Sequence, residues 1–234
     1  MAAHVFTTGN LRLVDDEREW SAVAEMLGVA PGQLRLIRQV HGIAVTVVRA
    51  GEQPPVERSE ADIVISDNPE VAVGVRVADC APVLLADTRL GVVGAVHAGW
   101  RGTLQGAAGA AVAAMTRAFG SRPGDLLAAV GPCLGPCCGE VGPEVVELFR
   151  KAGHPAQDLD RWFTPGLSGR SFLDLWAANR DQLAAAGLRP ARISLAELCT
   201  KTHHALLHSD RAHGTAAGRM VAAIRAPGAG PGSA

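Results

Sequence analysis

The sequence predicts an α+β fold, a single-domain sandwich of mixed β-sheets flanked by helices, and three observations carry that expectation. The chain has 234 residues, of which 48% are apolar and mostly Ala, Val and Leu, enough for one large buried core. Six short β-branched runs are bounded by Gly, Asp, Asn or Pro and are almost continuously apolar, which implies strands buried on both faces. Adjacent strands are followed by helices and then by further strands, a pattern that argues for mixed sheets over a doubly wound βαβ repeat.

The elements follow in order. Asp15 or Asp16 caps a helix through WSAVAEML (20–27), which Gly28 ends and Pro31 keeps from continuing. The strand runs are LRLIRQV (34–40), AVTVVR (44–49), ADIVI (61–65), VAVGVRV (71–77), PVLLAD (82–87) and GVVGAVH (91–97). TLQGAAGAAVAAMTRAF (103–119) reads as a helix with Thr103 as N-cap and Gly120 just past its end. LLAAVG (126–131) returns as a strand, and PEVVELFRKAG (143–153) is a short helix with Pro143 at its first position. In FLDLWAANRDQLAAAG (172–187), Leu173, Trp176, Ala177 and Leu183 recur at helical spacing. RISLAEL (192–198) and RMVAAIRA (219–226) close the set as strands. One catalytic domain is expected over 1–227, and GAGPGSA (228–234) reads as a disordered tail.

Charge excludes several function classes. With 22 basic and 23 acidic side chains the formal charge is -1, so nothing points to a nucleic-acid or anionic-membrane partner and a small-molecule substrate becomes the default. Residues 1–20 lack the basic start and apolar core of a signal peptide, and no uninterrupted stretch reaches about 18 apolar residues. A cytoplasmic protein is expected. Five cysteines is an odd number, and a chain of this size does not need disulfides, which favours free thiols available for metal.

His41, Cys80 and His97 each close an apolar run with small residues around it. Two imidazoles and a thiolate make a three-ligand zinc site with its fourth position open, the arrangement of catalytic zinc. The same set suits copper. The Cys80-Ala81-Pro82 turn is expected to take the backbone sharply out of its strand and point the thiol beyond the sheet edge. Asp79 beside it can orient a ligand imidazole or carry a proton. In HAGWRGT (97–103) a strand end meets a helix start, so backbone amides and Arg101 can hold an anion beside the metal. No GxGxxG or GxxxxGK[ST] is present, which argues against NAD or ATP dependence. GPCLGPCCGEVG (131–142) clusters Cys133, Cys137 and Cys138; a second metal site and a redox pair both remain open, because the CxxxCC spacing matches no usual zinc-ribbon or iron-sulfur pattern. Of His203, His204, His208 and His213, the pair His204 and His208 is spaced to share a helical face and take a further metal.

Taken together, QVHG (39–42), ADCAP (78–82), HAGWRGT (97–103), GPCCGEVG (135–142), CT (199–200) and GRM (218–220) resemble, in order, the bacterial YfiH family of purine nucleoside phosphorylases, also catalogued as laccase-domain or multicopper polyphenol oxidases. The resemblance covers roughly residues 5–225. It implies one catalytic Zn2+, or Cu2+, on His41, Cys80 and His97, and a compact α+β sandwich. It implies phosphorolysis of adenosine, inosine, guanosine and methylthioadenosine, and deamination of adenosine, so the partners are a purine nucleoside and phosphate. Asp79, Cys80 and Arg101 form the expected catalytic set; Asn10, Gln39, Arg101, Gly102, Thr103, Cys138 and Arg211 form the expected substrate-binding set. Three departures stand out. Phe6, Thr7 and Thr8 run directly to Gly9 and Asn10 without the family's Gly-rich loop and its arginine, Gly139 replaces an aromatic, and Asp210 stands where a second arginine is expected beside Arg211. A second reading is copper-dependent oxidation of phenolic substrates, although the chain has no His-x-His pair from which to build a conventional trinuclear cluster. A third, non-enzymatic reading is a metal-binding or partner-regulating protein.

Overall fold

Strands with no polar face need cover on both sides, and the structure supplies it by stacking two sheets between helices. The computed structural model describes residues 2–14, 16–52 and 58–228. In chain order the elements are β1 (Ala3–Phe6), α1 (Glu17–Met26), β2 (Leu34–Leu36), β3 (Val45–Val48), β4 (Ile63–Ser66), β5 (Ala72–Val77), β6 (Ala81–Asp87) and β7 (Val92–Ala98). They continue as α2 (Trp100–Leu104), α3 (Ala107–Phe119), β8 (Leu126–Val130), β9 (Glu140–Val141), α4 (Pro143–Lys151), α5 (Ala156–Trp162), β10 (Phe163–Pro165) and β11 (Ser171–Leu173). The last are α6 (Leu175–Ala185), β12 (Ile193–Leu195), α7 (Asp210–His213) and β13 (Met220–Arg225).

A six-stranded sheet has the order β12-β8-β6-β7-β4-β3 and a four-stranded sheet the order β1-β13-β5-β2, while β10-β11-β9 form a small third sheet. The two large sheets are mixed: β12 with β8, β3 with β4 and β2 with β5 are parallel, and the remaining pairs are antiparallel. This is the α+β class the sequence predicts.

Alternation along each central strand feeds two different cores. Val64, Leu84, Val93 and Ala95 of the six-stranded sheet meet Val73, Val75, Ala222 and Ile224 of the four-stranded one. Their neighbours Ile63, Ile65, Val83, Leu85 and Val96 point the other way, against Ala108, Val112 and Met115 of α3 and Leu183 of α6. Leu13 and the α1 residue Val23, with Leu27 just past that helix, cover the outer face of the four-stranded sheet at Ala72, Val221 and Ala223. Each such buried Ile, Leu or Met contributes about 1.5–3 kcal/mol.

Several boundaries differ from the sequence reading. The expected 103–119 helix is two helices, because Gly106 takes a left-handed φ of 80° between α2 and α3. Thr103 is not its N-cap: α2 starts at Trp100 after Gly99, and Thr103 is fully buried. Gly120 does end α3, with a φ of 73°. Asp16 caps α1 by accepting from Arg18 N; Asp15 lies outside the described residues, as does the expected tail from 229 onward. Leu173 belongs to β11 instead of the helix that follows, since Asp174 caps α6 by accepting from the Ala177 amide at 3.0 Å. The 34–40 strand stops at Leu36, and β1, α5 and the small sheet had no sequence signal strong enough to be read. Among the described residues no helix is long and apolar enough to cross a membrane.

One crossing positions the site. β5 and β6 belong to different sheets, so Ala78, Asp79 and Cys80 carry the chain from one to the other. Asp79 turns the corner with a φ of 90°. The turn thus precedes Cys80; Ala81 and Pro82 already lie in β6, with Pro82 opposite His97, so the expected Cys80-Ala81-Pro82 turn is not formed.

Candidate metal centre

His97 stands near the end of β7 and is only 3% exposed. Cys80 follows the inter-sheet corner, and His41 lies in a loop five residues beyond β2 with a left-handed φ of 61°, where the sequence reading had a strand end. Donor atoms of these three residues all lie within 4.8 Å of one another, and the two imidazole rings are 4.8 Å apart at 74°. A non-glycine residue with φ of this kind costs on the order of 1–3 kcal/mol and is held by its surroundings. For His41 those surroundings are the Gln105 amide, which donates to its carbonyl at 3.3 Å, and above all one carboxylate.

That carboxylate is Asp62, which the sequence reading passed over. It immediately precedes β4, is fully buried, and accepts four hydrogen bonds. Oδ1 takes the His41 amide at 3.0 Å and His97 Nδ1 at 2.7 Å; Oδ2 takes the amides of Val40 at 3.2 Å and Gly42 at 2.7 Å. Asp62 therefore shapes the His41 loop and fixes His97, leaving the other His97 ring nitrogen for a metal. The imidazole-orienting role suggested for Asp79 belongs to Asp62. Asp79 accepts instead from the Thr200 hydroxyl at 2.6 Å and the Arg211 amide at 2.6 Å, which fastens the corner carrying Cys80.

Electrostatics within the trio favour a thiolate beside protonated imidazole. Burial pushes the Cys80 thiol up, but His41 and His97 outweigh it and bring it down to about 7. Burial likewise opposes protonation of His97, yet Asp62 and Cys80 raise it to about 9. Burial acts against ionisation of Asp62, and His97 with the loop amides still holds it below the usual carboxylate value. The donor set fits a zinc or copper ion: two imidazoles, one readily ionised thiol and an open side. Gly99 leaves room for it, since a Cβ there would come within 2.6 Å of the Cys80 sulfur and 3.5 Å of the His41 ring.

A cleft of about 480 Å³ opens onto the trio, lined also by Arg38, Gln39, Arg76, Asp210 and Arg219. Gln39 is there as a clamp: its amide donates to the Arg76 carbonyl at 2.7 Å and accepts from the Arg76 amide at 2.9 Å. Both its polar atoms are thereby committed to backbone. Asp210 pairs with Arg219 at 3.0 Å, and Arg38 pairs with Glu60. On the other side of Cys80 a smaller, mostly apolar cleft is lined by Asp79, Trp100, Leu134, Gly139, Leu173 and Arg211, among others.

The remaining expected residues scatter. Arg101 is exposed and lies over the Trp100 ring, 4.2 Å from its centroid, so it does not line the larger cleft. Gly102 and Thr103 are buried beneath the turn; the Thr103 hydroxyl accepts from Asn179 at 3.3 Å, which removes both from substrate contact. Asn10 is exposed in a turn and lines neither cleft beside Cys80. Arg211 donates its guanidinium to the carbonyls of Cys138 at 3.1 Å and Glu140 at 3.3 Å, so Cys138 reaches the site only through Arg211. Among the C-terminal histidines no shared helical face forms: His208 meets the Leu11 carbonyl at 2.9 Å, while the His204 and His213 rings pair at 5.3 Å.

Comparison with known proteins agrees with this architecture. A family model described as multi-copper polyphenol oxidoreductase laccase matches residues 10–227. A Bacteroides thetaiotaomicron protein named purine nucleoside phosphorylase is 35% identical over 70% of this chain, and the match spans 60% of that protein's own length. A protein from an unknown prokaryotic organism, named adenosine deaminase RL5, is 35% identical over 86% of this chain and 78% of its own. Among solved structures, a Bacillus licheniformis hypothetical protein YfiH superposes with a TM-score of 0.87 at 29% identity, covering 96% of this chain and 92% of that one. YlmD from Geobacillus stearothermophilus gives 0.81 at 30% identity, with 97% and 90% covered.

Proposed function

Because the chain belongs to the multi-copper polyphenol oxidoreductase laccase family, with relatives named purine nucleoside phosphorylase and adenosine deaminase, we propose that it is a metal-dependent purine nucleoside phosphorylase that also deaminates adenosine. The substrates are adenosine, inosine, guanosine and methylthioadenosine together with phosphate, and the setting is cytoplasmic. The observation that carries this reading is the cleft: His41, Cys80 and His97 at one side, three arginines along the same cavity.

His41, Cys80 and His97 would hold the ion. When bound, zinc supplies Lewis acidity for the leaving base or for water. The rest of the chemistry rests on the chain's own groups. Arg38, Arg76 and Arg219 line the cleft, Arg38 paired with Glu60 and Arg219 with Asp210, and a phosphate would compete with those carboxylates for the guanidinium donors. A phosphate oxygen held there attacks the anomeric carbon, the glycosidic C–N bond breaks, and its electron pair departs with the purine, which takes up a proton. Asp62 keeps His97 in one orientation throughout, and Asp79 acts as a positioning residue for Cys80 through Thr200 and Arg211. The cleft arginines take the part that the resemblance implies for Arg101, which does not line this cleft.

The test is incubation of purified protein with adenosine, with and without phosphate. Phosphate-dependent release of adenine, lost in Cys80→Ala, is the expected result; no nucleoside turnover under either condition overturns the reading. The family description and the two-histidine, one-cysteine donor set favour one alternative, copper-dependent oxidation of phenols. Phenol oxidation that tracks copper loading, without nucleoside turnover, would establish it instead.

A further inference from the structure

Three thiols outside the His41, Cys80 and His97 centre have no part in the chemistry above. The sulfur atoms of Cys137, Cys138 and Cys199 all lie within 4.8 Å of one another. The sequence reading grouped Cys133 with Cys137 and Cys138, but Cys133 is fully buried and bound into the backbone. Its amide donates to the Leu198 carbonyl at 3.3 Å, and its carbonyl accepts from Thr200 at 3.0 Å. That parallel bridge between Cys133 and Cys199 delivers Cys199 to the 135–138 loop in place of Cys133. The loop is tightly built. Cys138 and Gly139 amides both donate to the Gly135 carbonyl, at 3.0 and 2.8 Å. A Cβ on Gly135 would come within 2.4 Å of the Trp176 ring, so the loop lies flat on that indole.

We propose that Cys137, Cys138 and Cys199 form a second metal site, taking one soft ion through three thiolates, with copper(I) as its ion. The donor set decides the class: it holds sulfur and neither imidazole nor carboxylate, and thiolates select copper(I), zinc or iron-sulfur clusters. The number of donors decides within the class. Structural zinc takes four protein ligands and a three-ligand zinc fills its fourth position with water or substrate, whereas copper(I) is satisfied by three sulfurs in a plane. A metal about 2.3 Å from each of three coplanar sulfurs separates them by about 4 Å, so thiols already within 4.8 Å need only a small contraction. Backbone N–H groups of Gly135 and Thr202 face the Cys199 sulfur, which suits a thiolate at the buried corner. Cys137 is exposed and gives the ion its way in. The site also touches the Cys80 corner, because Arg211 joins the Cys138 carbonyl to Asp79 and Thr200, next to Cys199, joins Asp79 as well.

The experiment is an anaerobic titration of the full, reduced chain with copper(I) against a chromophoric copper(I) chelator, reading bound copper and the near-ultraviolet sulfur-to-copper absorption. Wild type is expected to bind two ions, Cys80→Ala one, and Cys137→Ser one. The sulfur-to-copper band persists in Cys80→Ala and disappears when Cys137→Ser is added to it. Cys137 is chosen because its exposure makes the serine variant safe for folding; Cys199→Ser, at a buried position, serves as a second check with circular dichroism alongside. A single copper in wild type that is lost in Cys80→Ala overturns the proposal. So does undiminished copper binding in the Cys80→Ala, Cys137→Ser double variant, or fully reduced Cys80→Ala protein that takes up no copper.

Discussion

Asp62→Asn tests how the centre is assembled more sharply than removal of a metal ligand. The substitution keeps size and shape and removes one acceptor oxygen. In either orientation the new amide NH₂ faces two groups that are donors in the native structure. Placed at Oδ2, it opposes the amides of Val40 and Gly42, which hold the His41 loop. Placed at Oδ1, it opposes the His41 amide and His97 Nδ1. His97 can then accept only by moving its proton to the other ring nitrogen, the one needed by a metal. Hydrogen bonds to a charged group are worth about 1.5–3 kcal/mol each, so losing two removes about 3–6 kcal/mol of local stabilisation. Loss of a ligand-orienting partner typically weakens metal binding 10–100-fold, about 1.4–2.7 kcal/mol. The assay is zinc affinity by chelator competition, with denaturant unfolding of the metal-free protein measured in parallel. Affinity within twofold of wild type in a folded Asp62→Asn protein would refute this account of the centre.

Gly99→Ala places a Cβ 2.6 Å from the Cys80 sulfur; it should keep the fold, because Gly99 has an ordinary extended φ of -70°, yet lower zinc affinity at least about tenfold in the same competition assay. Gly135→Ala would put a methyl 2.4 Å from Trp176 and should lower the urea-unfolding free energy by about 1–3 kcal/mol. A third prediction concerns acid stability. Burial opposes ionisation of Asp181, but Trp162, Arg161 and Arg180 together hold its carboxyl below the ordinary 3.8. A lowered carboxylate contributes stability that is present above its unfolded value and lost as pH falls through the folded one. Asp181→Asn should therefore flatten the fall in stability below about pH 4, measured by denaturant unfolding across pH; an unchanged slope would contradict it.

Much of this molecule can be read from its sequence because its strands are buried on both faces. β4, β6 and β7 are apolar except for one buried polar residue near the end of each, Ser66, Asp87 and His97, so their existence needs no knowledge of the topology. Cys80 and His97 were legible for the same reason, as reactive residues beside such runs. What stayed hidden depends on partners far along the chain. Asp62 looks like an ordinary polar residue before an apolar strand until the 40–42 loop folds over it and His97 Nδ1 comes within 2.7 Å, so its task depends on partners the sequence does not place. Gln39 reads as a substrate group, yet its amide closes on the Arg76 backbone. The three cleft arginines come from separate segments, so no motif contains them, while the conspicuous Arg101 lies on Trp100. The CxxxCC spacing led toward Cys133, whereas a parallel bridge to a segment more than sixty residues later supplies Cys199.

The central claim is that His41, Cys80 and His97 act as one metal centre for nucleoside chemistry, and it is tested most directly by metal-dependent phosphorolysis. Adenine release from adenosine and phosphate is followed in the purified protein, after removal of metal by a chelator, and after zinc is restored, with Cys80→Ala beside it. The account predicts phosphate-dependent release that vanishes on metal removal, returns with zinc, and never appears in Cys80→Ala. Release that persists unchanged in the metal-free protein or in Cys80→Ala would contradict it.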